Sequence, residues 1–140
     1  LMIYRDERPP SPLLAPADVQ PLHCHGAVVK VRLEGPGIVV AVSGDIDATN
    51  SEQVSEYVHR FVSGDRALIV DFTDIGFLGV QGLRALLALA DACRRAGVDC
   101  AVVAGQSVHR LLRIVGRRHV LAVASVAEAL QQCGRANDRM

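Results

Sequence analysis

The sequence predicts an α/β fold, a single domain in which helices pack on a mixed, mostly parallel sheet. Three observations predict it. Short apolar runs bounded by turn residues alternate with longer segments whose apolar residues recur every three or four positions. The helical segments tend to open on hydroxyl-bearing residues and to close on glycine. Half of the residues are hydrophobic but few are aromatic, which suits an aliphatic core better than a Trp- or Tyr-rich binding platform.

At 140 residues the chain fits one domain that buries roughly 65–70% of its unfolded surface. Residues 1–22 hold five of the six prolines (Pro9, Pro10, Pro12, Pro16 and Pro21), with mixed charges and no periodicity. They read as a flexible extension without a core of its own, ahead of a domain at 23–134 and a short tail at 135–140. Leu1 to Ile3 and Tyr4 are followed at once by Arg5, Asp6, Glu7 and Arg8, so no signal peptide is read and a cytoplasmic location is the expectation.

From Val28 the chain alternates, with Val29, Val31 and Leu33 on one face and Lys30 and Arg32 on the other, as in a half-exposed strand. Glu34-Gly35-Pro36-Gly37 turns the chain into a more buried strand at 38–42, which makes an antiparallel hairpin. Thr49-Asn50-Ser51-Glu52 has the form of a capping box, with Thr49 as N-cap. Val54, Val58, Phe61 and Val62 follow as the apolar stripe, and Gly64 is placed to end that helix. Residues 67–72 form a continuous apolar run around Asp71, too short for a helix and suited to a strand covered on both faces.

Phe77-Leu78-Gly79-Val80 then delivers the chain to a helix with Leu83, Leu86, Leu87 and Ala90 on one face. Arg94 and Arg95 suit its C-terminus, and Gly97 stops it. A buried strand at 98–104, a helix opened by Gly105-Gln106-Ser107 and ended by Gly116, and a short strand at 120–124 come next. A second capping box, Ser125 to Glu128, opens the last helix. The order is β-β-α-β-α-β-α-β-α. Strands joined through helices must run parallel with right-handed crossovers, and only the first hairpin strand is antiparallel.

The stretch at 67–82, an apolar strand, Asp-Phe-Thr, a short gap, then Phe-Leu-x-x-x-Gly-Leu into a Leu-rich helix, resembles the STAS domain of anti-sigma factor antagonists. Ser43-Gly44-Asp45-Ile46-Asp47 is similar to that family's Gly-Glu-Leu-Asp segment. The resemblance covers about residues 24–133. In the family, the positions of Gly79-Val80-Gln81-Gly82 typically read Asp-Ser-Ser-Gly or Asp-Ser-Thr-Gly, and the second hydroxyl is phosphorylated by the partner kinase. Here the acidic residue and both hydroxyls are replaced, and Gln81 occupies the position matching the phosphosite.

The resemblance implies a regulator that binds an anti-sigma factor, often a histidine-kinase-like ATPase, and so frees a sigma factor. The implied contact surface joins Asp45 and Asp47 to Gly79, Val80, Gln81 and Gly82. Gln81 is neutral, as an unmodified serine would be, although as a surface residue it also needs no special role. Independently of the family, carboxylates at the end of a parallel strand beside a helix start sit where open α/β sheets place ligands. Loop-amide bonding is the plainer role for Asp47, as cap completion is for Glu52.

Other features carry less. His23-Cys24-His25 offers three potential ligands, but consecutive residues cannot all turn to one ion without a sharp bend, so a linker is expected. Cys24, Cys93, Cys100 and Cys133 form no C-x-x-C pair and read as reduced, packed thiols, although Cys93 and Cys100 flank one turn. His109, Arg110, Arg113, Arg117, Arg118 and His119 form a basic cluster that suits a helix C-terminus and solvent.

Fifteen basic and fifteen acidic side chains cancel, so no global field favours nucleic acid or an anionic membrane. No apolar run approaches the ~20 residues of a membrane span. Phosphate-loop, dinucleotide and nucleophile-elbow motifs are missing, so the expectation is a non-enzymatic module without cofactor or metal, monomeric or weakly dimeric. The rival readings are a STAS-type ligand- or nucleotide-binding or scaffold module, and a small α/β enzyme whose residues meet only in space.

Overall fold

Three strands open the fold in the computed structural model, which describes residues 20–63, 65–115 and 120–138: β1 (Leu22–Cys24), β2 (Ala27–Glu34) and β3 (Gly37–Ile46). They are followed by α1 (Ser51–His59), β4 (Ala67–Asp71), β5 (Ile75–Leu78), α2 (Val80–Ala96), β6 (Cys100–Val103), α3 (Gln106–Val115), β7 (Leu121–Val123) and α4 (Val126–Asp138). The strands form one mixed sheet in the order β1-β2-β3-β4-β6-β7, with β5 pairing β3 beyond the end of β4. The expected α/β architecture, an antiparallel hairpin leading into a parallel set, is the one observed.

Glu34 pairs with Gly37, so Gly35 and Pro36 alone make the β2–β3 turn. Alternation along β3 then decides which helices cover which face. Ile38, Val40 and Val42 point into a core shared with α1, α2 and α3 through Val54, Val58, Leu86, Leu89 and Leu112. Val39, Ile69, Ala101 and Val103 point the other way, onto Ala129 and Cys133 of α4. Because both faces are covered, β3, β4 and β6 are apolar throughout their central residues.

The helix ends follow local chemistry. Gly97 adopts a left-handed conformation (φ 72°) after α2, while Arg94 and Arg95 both pair with Asp91. At α4 the amide of Glu128 donates to Ser125 Oγ at 3.1 Å, and the Glu128 carboxylate accepts from the Ala124 amide at 3.1 Å.

Several local expectations are corrected. His23 and Cys24 lie in a paired strand, not a linker, because the two-residue turn His25-Gly26 folds β1 back on β2 with positive φ at both residues. Residues 75–78 form a parallel strand, possible because β3 outlasts β4 and leaves its far end free to pair. The N-cap of α1 is Asn50, not Thr49, and no side chain caps that helix; the Thr49 hydroxyl is turned to Asp47 instead. The helix stops at His59, and Phe61 reaches the core from the turn that follows. The segment read as a tail from 135 begins inside α4. Residues 1–19, Gly64 and 116–119 lie outside the described residues, and with them most of the proline-rich extension, two predicted helix stops and Arg117, Arg118 and His119.

Candidate functional site

The parallel strands deliver two segments to the same end of the sheet, the loop from β3 into α1 and the step from β5 into α2. The first turns at Gly44, whose φ of +93° suits only glycine; a Cβ there would lie 2.1 Å from the Gly26 carbonyl oxygen. The Asp45 amide donates to that same carbonyl at 3.2 Å, and the Gly44 amide to Asp74 O at 3.2 Å. Asp45 is exposed, with its carboxylate over Gly76.

Asp47 is half-buried and accepts two bonds at Oδ1, from the Thr49 hydroxyl at 2.5 Å and the Thr49 amide at 2.9 Å. The hydroxyl chiefly, then the amide, hold its carboxyl below the ordinary range, with His25 adding a smaller attraction. Asp47 is thus tied into its loop, as the plainer reading expects, while part of it still faces solvent.

The organiser of this loop is a residue that the sequence does not single out. Asn50 is 1% exposed. Its Nδ2 donates to the carbonyls of Cys24 (3.2 Å), His25 (3.0 Å) and Asp45 (2.9 Å), and its Oδ1 accepts from the Asp47 amide at 3.1 Å. One amide group therefore joins the β1–β2 turn to the loop that carries both aspartates. The only signal in the sequence is a residue type common at helix starts; the bonds reach 25 and 26 residues back to the turn.

The second segment is fixed by packing. The Gly79 amide donates to Ile46 O at 2.8 Å, and the Leu83 amide to Gly79 O at 3.0 Å, which sets the first turn of α2 against the end of β3. Gly82 is buried; a Cβ there would lie 2.6 Å from both Ile46 Cγ2 and Leu78 Cδ1. With α2 seated so closely, Gln81 faces outward and Val80 stands 66% exposed beside Phe77 at 55%. Gly79 is half-buried against the Phe77 ring. The tip of α2 thus presents an uncharged, partly apolar knob next to the Asp45–Asp47 loop.

Between α1 and α2, Ser51, Glu52, Ser55, Glu56, Gln81 and Arg84 line an open groove of about 320 Å³. Beneath it, a smaller apolar cavity of about 40 Å³ reaches Val42, Ile46 and Val70. The groove could accept polar groups of a ligand or partner. The described residues do not gather nucleophile, base and oxyanion donors there.

The remaining candidates lie apart. His23 and His25 are exposed while Cys24 is buried, its thiol bonded to Gln53 Oε1, so the three do not face one point. Cys93 and Cys100 hydrogen-bond each other, which lowers the Cys93 thiol and raises Cys100 well above the usual range. Burial pushes Cys133 up to about 11. Arg110 and Arg113 are exposed on α3.

A family profile described as the STAS domain matches residues 27–133. The chain is 37% identical over 83 residues to osmosensory protein A of Mycobacterium tuberculosis (strain H37Rv), which covers 59% of this chain and 52% of that protein. It therefore spans about half the length of that relative. Over 96 residues it is 28% identical to the anti-sigma-F factor antagonist RsfA of M. tuberculosis (strain CDC 1551 / Oshkosh), covering 66% of this chain and 75% of RsfA. The crystal structure of an anti-sigma factor antagonist from Mycobacterium paratuberculosis superposes with a TM-score of 0.69 at 24% identity, over 76% of this chain and 93% of that one. That likeness shows the fold. Among the described residues, no helix is long and apolar enough to cross a membrane.

Proposed function

The chain belongs to the STAS domain family, and from that premise we propose that it works as an anti-sigma factor antagonist, binding an anti-sigma factor and so releasing a sigma factor. The docking surface is the knob of Gly79, Val80 and Gln81, seated by Gly82, together with Asp45 and Asp47. The observation that carries the reading is the exposure of an uncharged helix tip at the sheet end where Asp45 is also exposed. The partner is a protein, often a histidine-kinase-like ATPase in this family, and the encounter takes place in the cytoplasm without nucleic acid. The likeness to osmosensory protein A supports an osmotic signal as the input.

In this reading, Gln81 at the usual modification position makes the module one that phosphorylation does not switch off there. A phosphate would bring about −1.5 to −2 charge to the knob, whereas the glutamine keeps it neutral. The test measures affinity for a panel of purified anti-sigma factors with the wild type, Gln81→Ser and Gln81→Glu. Gln81→Ser should keep the affinity, and Gln81→Glu should weaken it roughly tenfold by setting a charge in the contact. Failure to bind any anti-sigma factor would sink the reading, and an undiminished Gln81→Glu would remove the neutral knob from it. Incubation with a cognate kinase and ATP should leave residues 79–82 unmodified. Phosphorylation at exposed Thr73 with loss of binding would show the switch to have moved.

The groove between α1 and α2 favours a second reading, a STAS-type module that binds a small ligand or nucleotide. A thermal shift induced by a nucleotide without any protein partner would support it.

A further inference from the structure

Two polar residues are buried among the described residues, Asn50 and Ser51, adjacent at the start of α1. Asn50 uses both ends of its amide. The Ser51 hydroxyl makes no hydrogen bond, although the residue is only 8% exposed. A buried hydroxyl without a partner is a cost that the fold alone does not explain. Ser51 lines both the open groove between α1 and α2 and the apolar cavity beneath it.

The groove stays open because small residues meet there, Ser51 and Ser55 from α1 and Ala85 from α2. Its walls carry opposite charges, Glu52 and Glu56 on α1 and Arg84 on α2, all three exposed. None of these side chains has a hydrogen bond or ion pair, so opposite charges line one groove without closing it. Glu52 and Glu56 stand one turn apart on the same helix, where like charges repel. Arg84 lies just past the first turn of α2, which holds no acidic residue to offset the positive end of the helix. One wall therefore favours a cation and the other a carboxylate. The cavity below, about 40 Å³, has Val42, Ile46, Val54, Val70, Leu86 and Leu89 in its walls. Of its polar lining residues, Ser55 and His59 bond to each other, 3.3 Å apart. Water there would find few partners, and an aliphatic group suits the space better.

We propose that the groove between α1 and α2 binds a free aliphatic amino acid, of which valine is the simplest branched case. The ammonium group lies against Glu52 and Glu56, the carboxylate against Arg84, and the side chain faces the apolar cavity. Ser51 gives the ligand a hydrogen bond and gains the partner that it lacks. At about 320 Å³ the groove is at the low end of small-molecule sites, as a ligand of this size requires. The inference rests on the ligand-binding reading of this groove given above and narrows it. A nucleotide would bring several negative charges against two glutamates, whereas a zwitterion satisfies both walls.

The test titrates the ¹⁵N-labelled chain with L-valine to about 50 mM and follows its amide shifts by NMR. Saturable shifts should gather on the facing turns of α1 and α2, around Ser51, Ser55, Gln81 and Arg84. Isovalerate lacks the ammonium group and isobutylamine lacks the carboxylate, so each should bind at least about tenfold more weakly than valine. Arg84→Gln and the pair Glu52→Gln with Glu56→Gln, all at exposed positions, should each weaken valine by roughly tenfold. Ser51→Ala separates binding from folding: it removes an unpaired buried hydroxyl, so the melting temperature without ligand should hold or rise while valine affinity falls about threefold or more. No saturable shift, shifts centred elsewhere, or equal binding of a singly charged analogue would overturn the proposal. A thermal shift with ATP but none with valine would also overturn it, while leaving the groove as a ligand site of another kind.

Discussion

The loop from β3 to α1 and the step from β5 to α2 lie side by side, yet different physics holds each in place. In the loop, one buried amide gathers three carbonyls and a backbone N–H from segments far apart in sequence. At the step, a bare Cα at Gly82 lets α2 approach until only hydrogen separates it from Ile46 and Leu78. A network of this kind depends on the identity of its donors, because each lost bond leaves a polar group to find water or go unpaired. Close packing depends on volume, and the neighbours can yield by small shifts.

Substitution at the two anchors tests this difference, and the largest effect belongs to the network. Asn50→Ala removes the partner of the Cys24, His25 and Asp45 carbonyls and of the Asp47 amide. Water can reach the exposed residues of this group but not all of it, so the expected loss is about 2–3 kcal/mol in urea denaturation. Asn50→Asp keeps the shape but points a carboxylate at three carbonyl oxygens, and it should cost more than the alanine. If the aspartate were as stable as the wild type, donor identity would not be what holds the loop. Hydrogen exchange should also rise at the Asp45 and Asp47 amides, since both are fixed through the same network.

Gly82→Ala should cost less. The added methyl meets Leu78 Cδ1, the free end of a flexible side chain, and Ile46 Cγ2, which is stiffer. Overpacking of this kind costs about 1–3 kcal/mol. Alanine regains up to about 1 kcal/mol over glycine inside a helix, so the net loss should be about 1–2 kcal/mol. A loss larger than that of Asn50→Ala would invert the ranking and make the packed step the more fragile of the two. Because Gly82 seats the α2 tip, this variant should also weaken partner binding beyond what its stability explains.

The same contrast accounts for what the sequence reveals. The apolar runs of β3 and β4, the arginines and Gly97 at the end of α2, and the Ser125 cap of α4 are local signals, and each is found where it is expected. The strand β1 hides because its turn uses His25-Gly26, and histidine is not the residue that advertises a turn with positive φ at both positions. The strand β5 hides because it is four residues long and contains Gly76, and it exists only where β3 runs past the end of β4. At the site, Gly82 is visible as a glycine at a helix start. Asn50 is not, because its worth lies in bonds to carbonyls that only the folded chain brings near. Thr49 misleads for the same reason, since its hydroxyl prefers the Asp47 carboxylate to the helix.

That last pair offers the smallest test, confined to the solvent side of the loop. Asp47 is held below its ordinary value of 3.8, first by the Thr49 hydroxyl and next by the Thr49 amide. A folded-state value below the unfolded one means that the contribution is fully present above about pH 4. It fades as the pH falls through the lowered folded value. Thr49→Val removes the hydroxyl and keeps the amide, so the Asp47 titration, followed by carboxyl ¹³C shifts, should move up towards 3.8 without reaching it. The Asn50 bonds do not involve the hydroxyl, so the amide shifts of Asp45 and Asp47 should stay close to wild type at neutral pH. An unmoved titration would assign the shift to the amide or to His25. Loss of order across the loop would show that Thr49 and Asn50 form one network, and the boundary between its exposed and buried parts would disappear.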